Sequence, residues 1–146
     1  MDGRSYGAAV TAKHFMMLLD TSVLIDIDDV RLPEGSLQLS AISLSELTFG
    51  IEKTSDVRVR RLRVRRLARI EELVPAAWLP FDERAAQGTG FLSAIVSRSR
   101  AAHARSKDIM LAGHAFALGA ALITFNPKDF ELLSGHVEII VPELRR

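Results

Sequence analysis

"MMLLDTSVLI", Met16 to Ile25, opens as an unbroken apolar run and then places an aspartate where the run ends. A run of Phe15 to Leu19 without polar alternation reads as a central strand of a parallel sheet, covered on both faces. An ionised carboxylate at the inner end of a core strand costs several kcal/mol unless it is hydrogen-bonded, paired or bound to a metal. Something must therefore offset Asp20. In open α/β sheets the space outside the carboxyl ends of the strands is where ligands bind, which makes this position the starting point for function.

Outward from this run, strand-like and helix-like segments alternate, which implies an α/β domain with a mainly parallel central sheet flanked by helices. A short helix is expected from Ser22, then a loop through "RLPEGS" and a second strand over Leu37 to Ile42. Ser43 and Glu46, in "SLSE", have the spacing of a capping box that opens a helix toward Gly50 and Lys53. A basic helix is predicted from Val57 to Leu73, with Pro75 beyond its end. Trp78 to Phe81 reads as a third strand, and "DERAA" starts a helix to about Ala102 that Gly88 and Gly90 weaken. "SKDIMLAGHAFALG" is the most helical stretch, with Gly119 placed as its C′ residue. Ala121 to Thr124 and Val137 to Val141 complete the strands, the latter as the last. Met1 to Lys13 lack periodicity, so residues 1–14 are expected to be a loose extension and residues 15–146 the domain.

With 146 residues, 48% of them hydrophobic and 25% charged, the chain suits one globular domain with a sizeable core. The absence of cysteine excludes a disulfide framework, a thiolate zinc site and a cysteine nucleophile, and fits a cytoplasmic setting. No apolar stretch approaches the roughly 18 to 20 residues of a membrane span, and no signal-peptide core precedes the first strand, so neither membrane insertion nor secretion is expected.

The net charge of +1 hides seven arginines between Arg58 and Arg69. On a helical wheel Arg58, Arg61, Arg65 and Arg69 form one stripe, opposite an apolar face of Val59, Leu62, Leu67, Ile70, Leu73 and Val74. Arg63 and Arg66 fall inside that apolar arc, where their stems snorkel outward or something other than the core covers the face. The stripe reads as a solvated face, as a phosphate contact for RNA, or as a docking face for a partner. With one Trp and one Tyr, no stacking platform for single strands is expected.

Four acids, Asp20, Glu46, Asp108 and Asp129, have routes to one end of the sheet, and the sequence offers no cationic partner at each. A divalent cation explains them together, and oxygen ligands select Mg²⁺ or Mn²⁺ over zinc. On the helix holding Asp108, Leu111, Ala112, Ala115 and Gly119 share its face, and these mostly small residues allow close packing on the sheet. His114 lies about 120° away and reads as a core or surface histidine. Each acid alone has a structural reading: Asp20 as an N-cap, Glu46 as the capping-box partner, Asp108 as a dipole complement, Asp129 as a turn residue. Only their joint placement points to a metal.

"LLDTSVLI", "ISLSELTFGI", "LPFDERAA", "SKDIMLAGHAFALGAALIT" and "FNPKDF" resemble, in order and spacing, the successive motifs of PIN-domain ribonucleases, and more narrowly VapC-type toxins of toxin–antitoxin pairs. The resemblance runs from about Met17 to the C-terminus. It implies a three-layer α/β PIN-like fold, Mg²⁺- or Mn²⁺-dependent endonuclease activity on RNA, a cognate antitoxin and a homodimer. Its first three acidic positions fall on Asp20, Glu46 and Asp108; the fourth falls on Asn126 or Asp129, with Asp129 favoured as the acid and Asn126 as a neutral ligand or orienter. Thr21, Ser22 and Thr124 match positions that hold the acids or metal waters through hydroxyls. The rival readings are a housekeeping PIN-domain nuclease, a receiver-type phosphoacceptor, for which Lys128 is the only late lysine, and a binding module built on the arginine helix alone.

Overall fold

The apolar run ending at Asp20 lies in the middle of the sheet. In the computed structural model, which describes residues 15–99 and 106–145, β1 (Met16–Leu19) is the third of five strands. β2 (Val30–Arg31) stands apart from this sheet, whose order is β4 (Trp78–Leu79), β3 (Ser36–Ser40), β1, β5 (Ala121–Ile123) and β6 (Ile139–Ile140). All four pairings within it are parallel, with Met17 opposite both Leu37 and Ala121. Residues 1–14, where the extension was expected, lie outside the described residues.

The period-two alternation of side chains divides the core between two layers. Met17 and Leu19 of β1 and Ile123 of β5 pack on one face with Leu47 and Ile70. Leu18 and Leu122 pack on the other with Leu92, Leu111 and Ala115. The first layer is built from α1 (Thr21–Ile25), α2 (Ala41–Lys53) and α3 (Val57–Leu73), the second from α4 (Glu83–Ser97) and α5 (Ser106–Leu118). This is the three-layer α/β architecture expected from the sequence.

Several boundaries differ from the sequence reading. β3 stops at Ser40 and α2 begins two residues before the expected capping box, because Ser40 takes the N-cap and its Oγ accepts from the Ile42 N–H at 3.1 Å. Ser43 is thereby buried inside the helix, and Glu46 is released from any capping duty. α4 runs through Gly88 and Gly90 but ends at Ser97, short of Ala102. β6 is not the last strand: β7 (Glu143–Leu144) pairs antiparallel with β2 in a separate ladder. α3 matches its prediction at both ends and is capped by Asp56, which accepts from the Arg58 and Val59 N–H groups. Gly119 takes φ +65°, and the Ala120 N–H to Ala115 and Gly119 N–H to Phe116 bonds close α5 in a Schellman motif.

The apolar face of α3 is only half used. Leu67, Ile70, Leu73 and Val74 join the core, whereas Leu62 is 63% exposed. The N-terminal half of this helix therefore does not rest on the domain's own core. Arg63 donates to the Gly50 carbonyl and Arg60 to the Ile51 carbonyl, satisfying the free C-terminal end of α2.

Candidate active site

Asp20 sits where β1 gives way to α1, at the N-cap position, but its side chain caps nothing. Its N–H continues the sheet by donating to the Ile123 carbonyl at 2.8 Å, which locks the residue between the two central strands. The side chain is 5% exposed. Oδ2 accepts from Thr124 Oγ1 at 2.7 Å and from Ser22 Oγ at 2.8 Å. Those hydroxyls are themselves fixed, for Ser22 Oγ accepts from the Phe125 N–H and Thr124 Oγ1 from the Asn126 N–H. Oδ1 accepts no hydrogen bond among the described residues and is not sealed from solvent, so one oxygen is anchored and the other is open.

Glu46, on α2, reaches the same end of the sheet. Thr21 Oγ1 donates to Glu46 Oε1 at 3.1 Å or to Ser43 Oγ at 2.9 Å, one at a time since it has one hydrogen. Burial pushes the Glu46 carboxyl above its ordinary value and the charge of Asp20 pushes the same way, while the Thr21 hydrogen bond and the Lys107 ammonium oppose them. The expectation that the acids lack cations thus needs correction, since Lys107 lies close enough to act on Glu46. No short ion pair joins either Asp20 or Glu46 to a cation among the described residues.

The remaining expected residues are placed less tightly. Asp108 is half-buried in the first turn of α5, next to Lys107. Asp129 is exposed in the 3₁₀ segment Pro127–Leu133, and Asn126, also exposed, precedes that segment. Among the described residues no three His, Asp or Glu side chains gather closely enough to hold a metal ion between them. The donor chemistry of Asp20 and Glu46 nevertheless fits Mg²⁺, which keeps several waters and is held by one or two carboxylates plus substrate phosphate rather than by an all-protein cage.

His114 is 2% exposed, paired with Ser40 Oγ through Nδ1 at 2.9 Å and edge-on to Phe81, so of the two structural readings, core or surface, it is a core histidine. Burial lowers its pKa, against a weaker opposing pull from Asp82. The arginine stripe divides: Arg69 is engaged by Asp28 at 2.9 Å and Glu72 at 3.2 Å, and Arg65 lines a cleft with Asp26, Asp28 and Asp29, whereas Arg58 and Arg61 are exposed.

The raised Glu46 pKa sets a direction for stability. Between 4.5 and the raised value the folded state holds a proton that the unfolded chain has released, so this group's contribution falls as pH rises through that window. Gln resembles the protonated acid and escapes the loss. Without divalent cations, Glu46→Gln is expected to match the wild type below this window and to be more stable at neutral pH. Thermal midpoints on both sides of the window check this, and a pH-independent difference would show that Glu46 does not titrate abnormally.

A five-stranded parallel sheet between two helical layers, with a hydroxyl-anchored aspartate at the end of its central strand, is the architecture of a PIN-like α/β domain. No protein-family model matches the chain. Over 106 residues it is 33% identical to the tRNA(fMet)-specific endonuclease VapC of Shigella flexneri, covering 72% of this chain and 75% of that protein. The structure resembles VapBC-5 of Mycobacterium tuberculosis, a member of the VapBC family of toxin–antitoxin systems, with a TM-score of 0.69 and 29% identity over 86% of this chain and 98% of the other. DNA-bound VapBC from Salmonella typhimurium gives 0.63 and 26%, over 86% and 96%. The chain belongs to the VapC family of PIN-domain toxin ribonucleases.

Proposed function

We propose that this chain is an endoribonuclease dependent on Mg²⁺ or Mn²⁺, the toxin of a pair, held in check in the cytoplasm by a cognate antitoxin. The observation that carries this reading is the Asp20 carboxylate, buried at the end of β1 with one oxygen clamped by Ser22 and Thr124, the other open, and Glu46 beside it.

In this reading Asp20 and Glu46 hold the cation, Asp108 joins them from the start of α5, and Asp129 with Asn126 supplies the fourth position from the loop after β5. A bound divalent cation supplies charge neutralisation at the scissile phosphate and makes the attacking water more acidic. Ser22 and Thr124 keep the Asp20 carboxylate from rotating, so that Oδ1 stays presented to the opening. The relative's name makes initiator tRNA the first substrate to try.

Exposed Leu62 on α3 and Ile25 on α1, which line one cleft, support a partner-docking surface. The proposed homodimer draws on exposed Phe91 and Phe116, whose rings stack at 5.3 Å. No helix of the described residues is long and apolar enough to cross a membrane.

The test is cleavage of a panel of structured and unstructured RNAs, initiator tRNA included, with Mg²⁺, Mn²⁺ or EDTA. Cleavage is expected with either metal and is lost in EDTA. Cleavage that persists in EDTA would overturn the metal dependence.

A further inference from the structure

Phe49 lies three residues beyond Glu46 on α2, on the same side of the helix, and is 59% exposed. A single exposed aromatic needs no explanation, but this one has company. Lys53 Nζ stands 5.3 Å from its ring centre and Lys107 Nζ 5.8 Å. The two lysines come from different helices, α2 and α5, so tertiary packing sets the arrangement. Neither forms a salt bridge among the described residues. Lys107 also acts electrostatically on Glu46, which ties the ring and both cations to the rim of the acidic site.

A carboxylate site repels the polyanion it is meant to cut, so cations at its rim that no salt bridge engages have a clear use. We propose that Phe49, Lys53 and Lys107 form a nucleotide subsite in which the two lysines, which lie over the Phe49 ring in the free protein, swing onto the flanking phosphates and one unpaired base of the RNA takes their place on the ring. The inference rests on the ribonuclease reading above. Every base has a π-face, so the subsite selects an unstacked nucleotide in a loop or single strand rather than a particular base. A paired base keeps its neighbours in the helix and cannot present its face to the ring. One ring makes a local clamp, not the extended platform that the low aromatic content argues against.

The test uses Asp20→Asn protein, which is expected not to cut, and measures its binding to a short labelled single-stranded RNA and to a duplex of equal length. Adding Phe49→Ala is expected to weaken single-strand binding about ten-fold, with duplex binding unchanged, and Phe49→Trp to restore it. Adding Lys53→Gln and Lys107→Gln is expected to reduce the salt-dependence slope by about 0.7 for each phosphate that a lysine no longer neutralises. In the cutting enzyme Phe49→Ala is expected to raise KM more than it lowers kcat. If the wild type cuts RNA but Phe49→Ala binds single strands normally, the subsite is wrong and the ribonuclease reading stands. Loss of affinity only for a co-purified partner protein would likewise overturn the subsite. If the unmutated protein neither binds nor cuts any RNA, both fall together.

Discussion

Asparagine in place of Asp20 is expected to leave RNA uncut while the protein becomes no less stable. The substitution keeps the shape of the side chain and an oxygen that can accept from Ser22 and Thr124, the two hydroxyls that clamp Oδ2. What it removes is the charge. If that charge holds a cation against the scissile phosphate, its loss costs several kcal/mol of transition-state stabilisation, or on the order of 10³-fold in rate. The folded protein, by contrast, is relieved of a carboxylate that is 5% exposed and has no short ion pair to a cation among the described residues. Buried charge without a cationic partner is costly even when hydroxyls bond it, so the thermal midpoint measured in EDTA should hold or rise by a few degrees. Added Mg²⁺ should raise the wild-type midpoint by mass action and leave the variant unmoved. A variant that cuts at the wild-type rate would remove Asp20 from the chemistry. A midpoint that falls by more than about 5 °C would instead give it a structural role.

The features legible in the sequence are those that one element decides alone. The unbroken apolar run of β1 announces a central strand, and the arginine helix with Pro75 beyond it delimits α3. Gly119 marks the end of α5 because only a positive φ closes that turn easily. The failures occur where elements compete or meet. The capping-box spacing at Ser43 points to a helix start there, whereas Ser40 takes the cap, because where the helix begins depends on where β3 stops pairing. The β2–β7 ladder joins two-residue segments too short to carry any period. The wheel of α3 shows an apolar face but not which half of it meets the core.

The same division holds at the site. Asp20, Ser22 and Thr124 lie at strand ends that the α/β pattern already locates, so their convergence follows from the topology. Lys107 does not announce itself, because its approach to Glu46 and to the Phe49 ring depends on how α5 docks beside α2. The helical wheel that relates Asp108 to the buried face of α5 is silent about a neighbour on another helix.

How closely α5 docks is set by two glycines. A Cβ built on Gly113 would stand 2.6 Å from the backbone N and Cα of Thr89, and one on Gly88 2.6 Å from the Gly113 carbonyl oxygen. Side-chain carbons do not approach backbone this closely, and neither helix backbone can yield without moving the whole helix. Gly113→Ala is therefore expected to lose about 1 to 3 kcal/mol despite the better helix propensity of alanine. At roughly 2 to 4 °C for each kcal/mol in a chain of this size, the midpoint falls by about 2 to 12 °C. Gly90→Ala, made on the same helix as Gly88, is the contrasting case. Nothing lies within 4 Å of its would-be Cβ, so alanine there is expected to stabilise by up to about 1 kcal/mol. Cleavage should follow the first variant and ignore the second, because α5 carries Asp108 and Lys107 at its outer end and a shift of the helix displaces both. Displacements near 1 Å at a catalytic site can cost on the order of 10²-fold in rate. Denaturation midpoints and cleavage rates of the two variants decide the matter. If alanine at Gly113 stabilises as alanine at Gly90 does, the α4–α5 crossing is looser than this packing requires and does not fix the position of the acids.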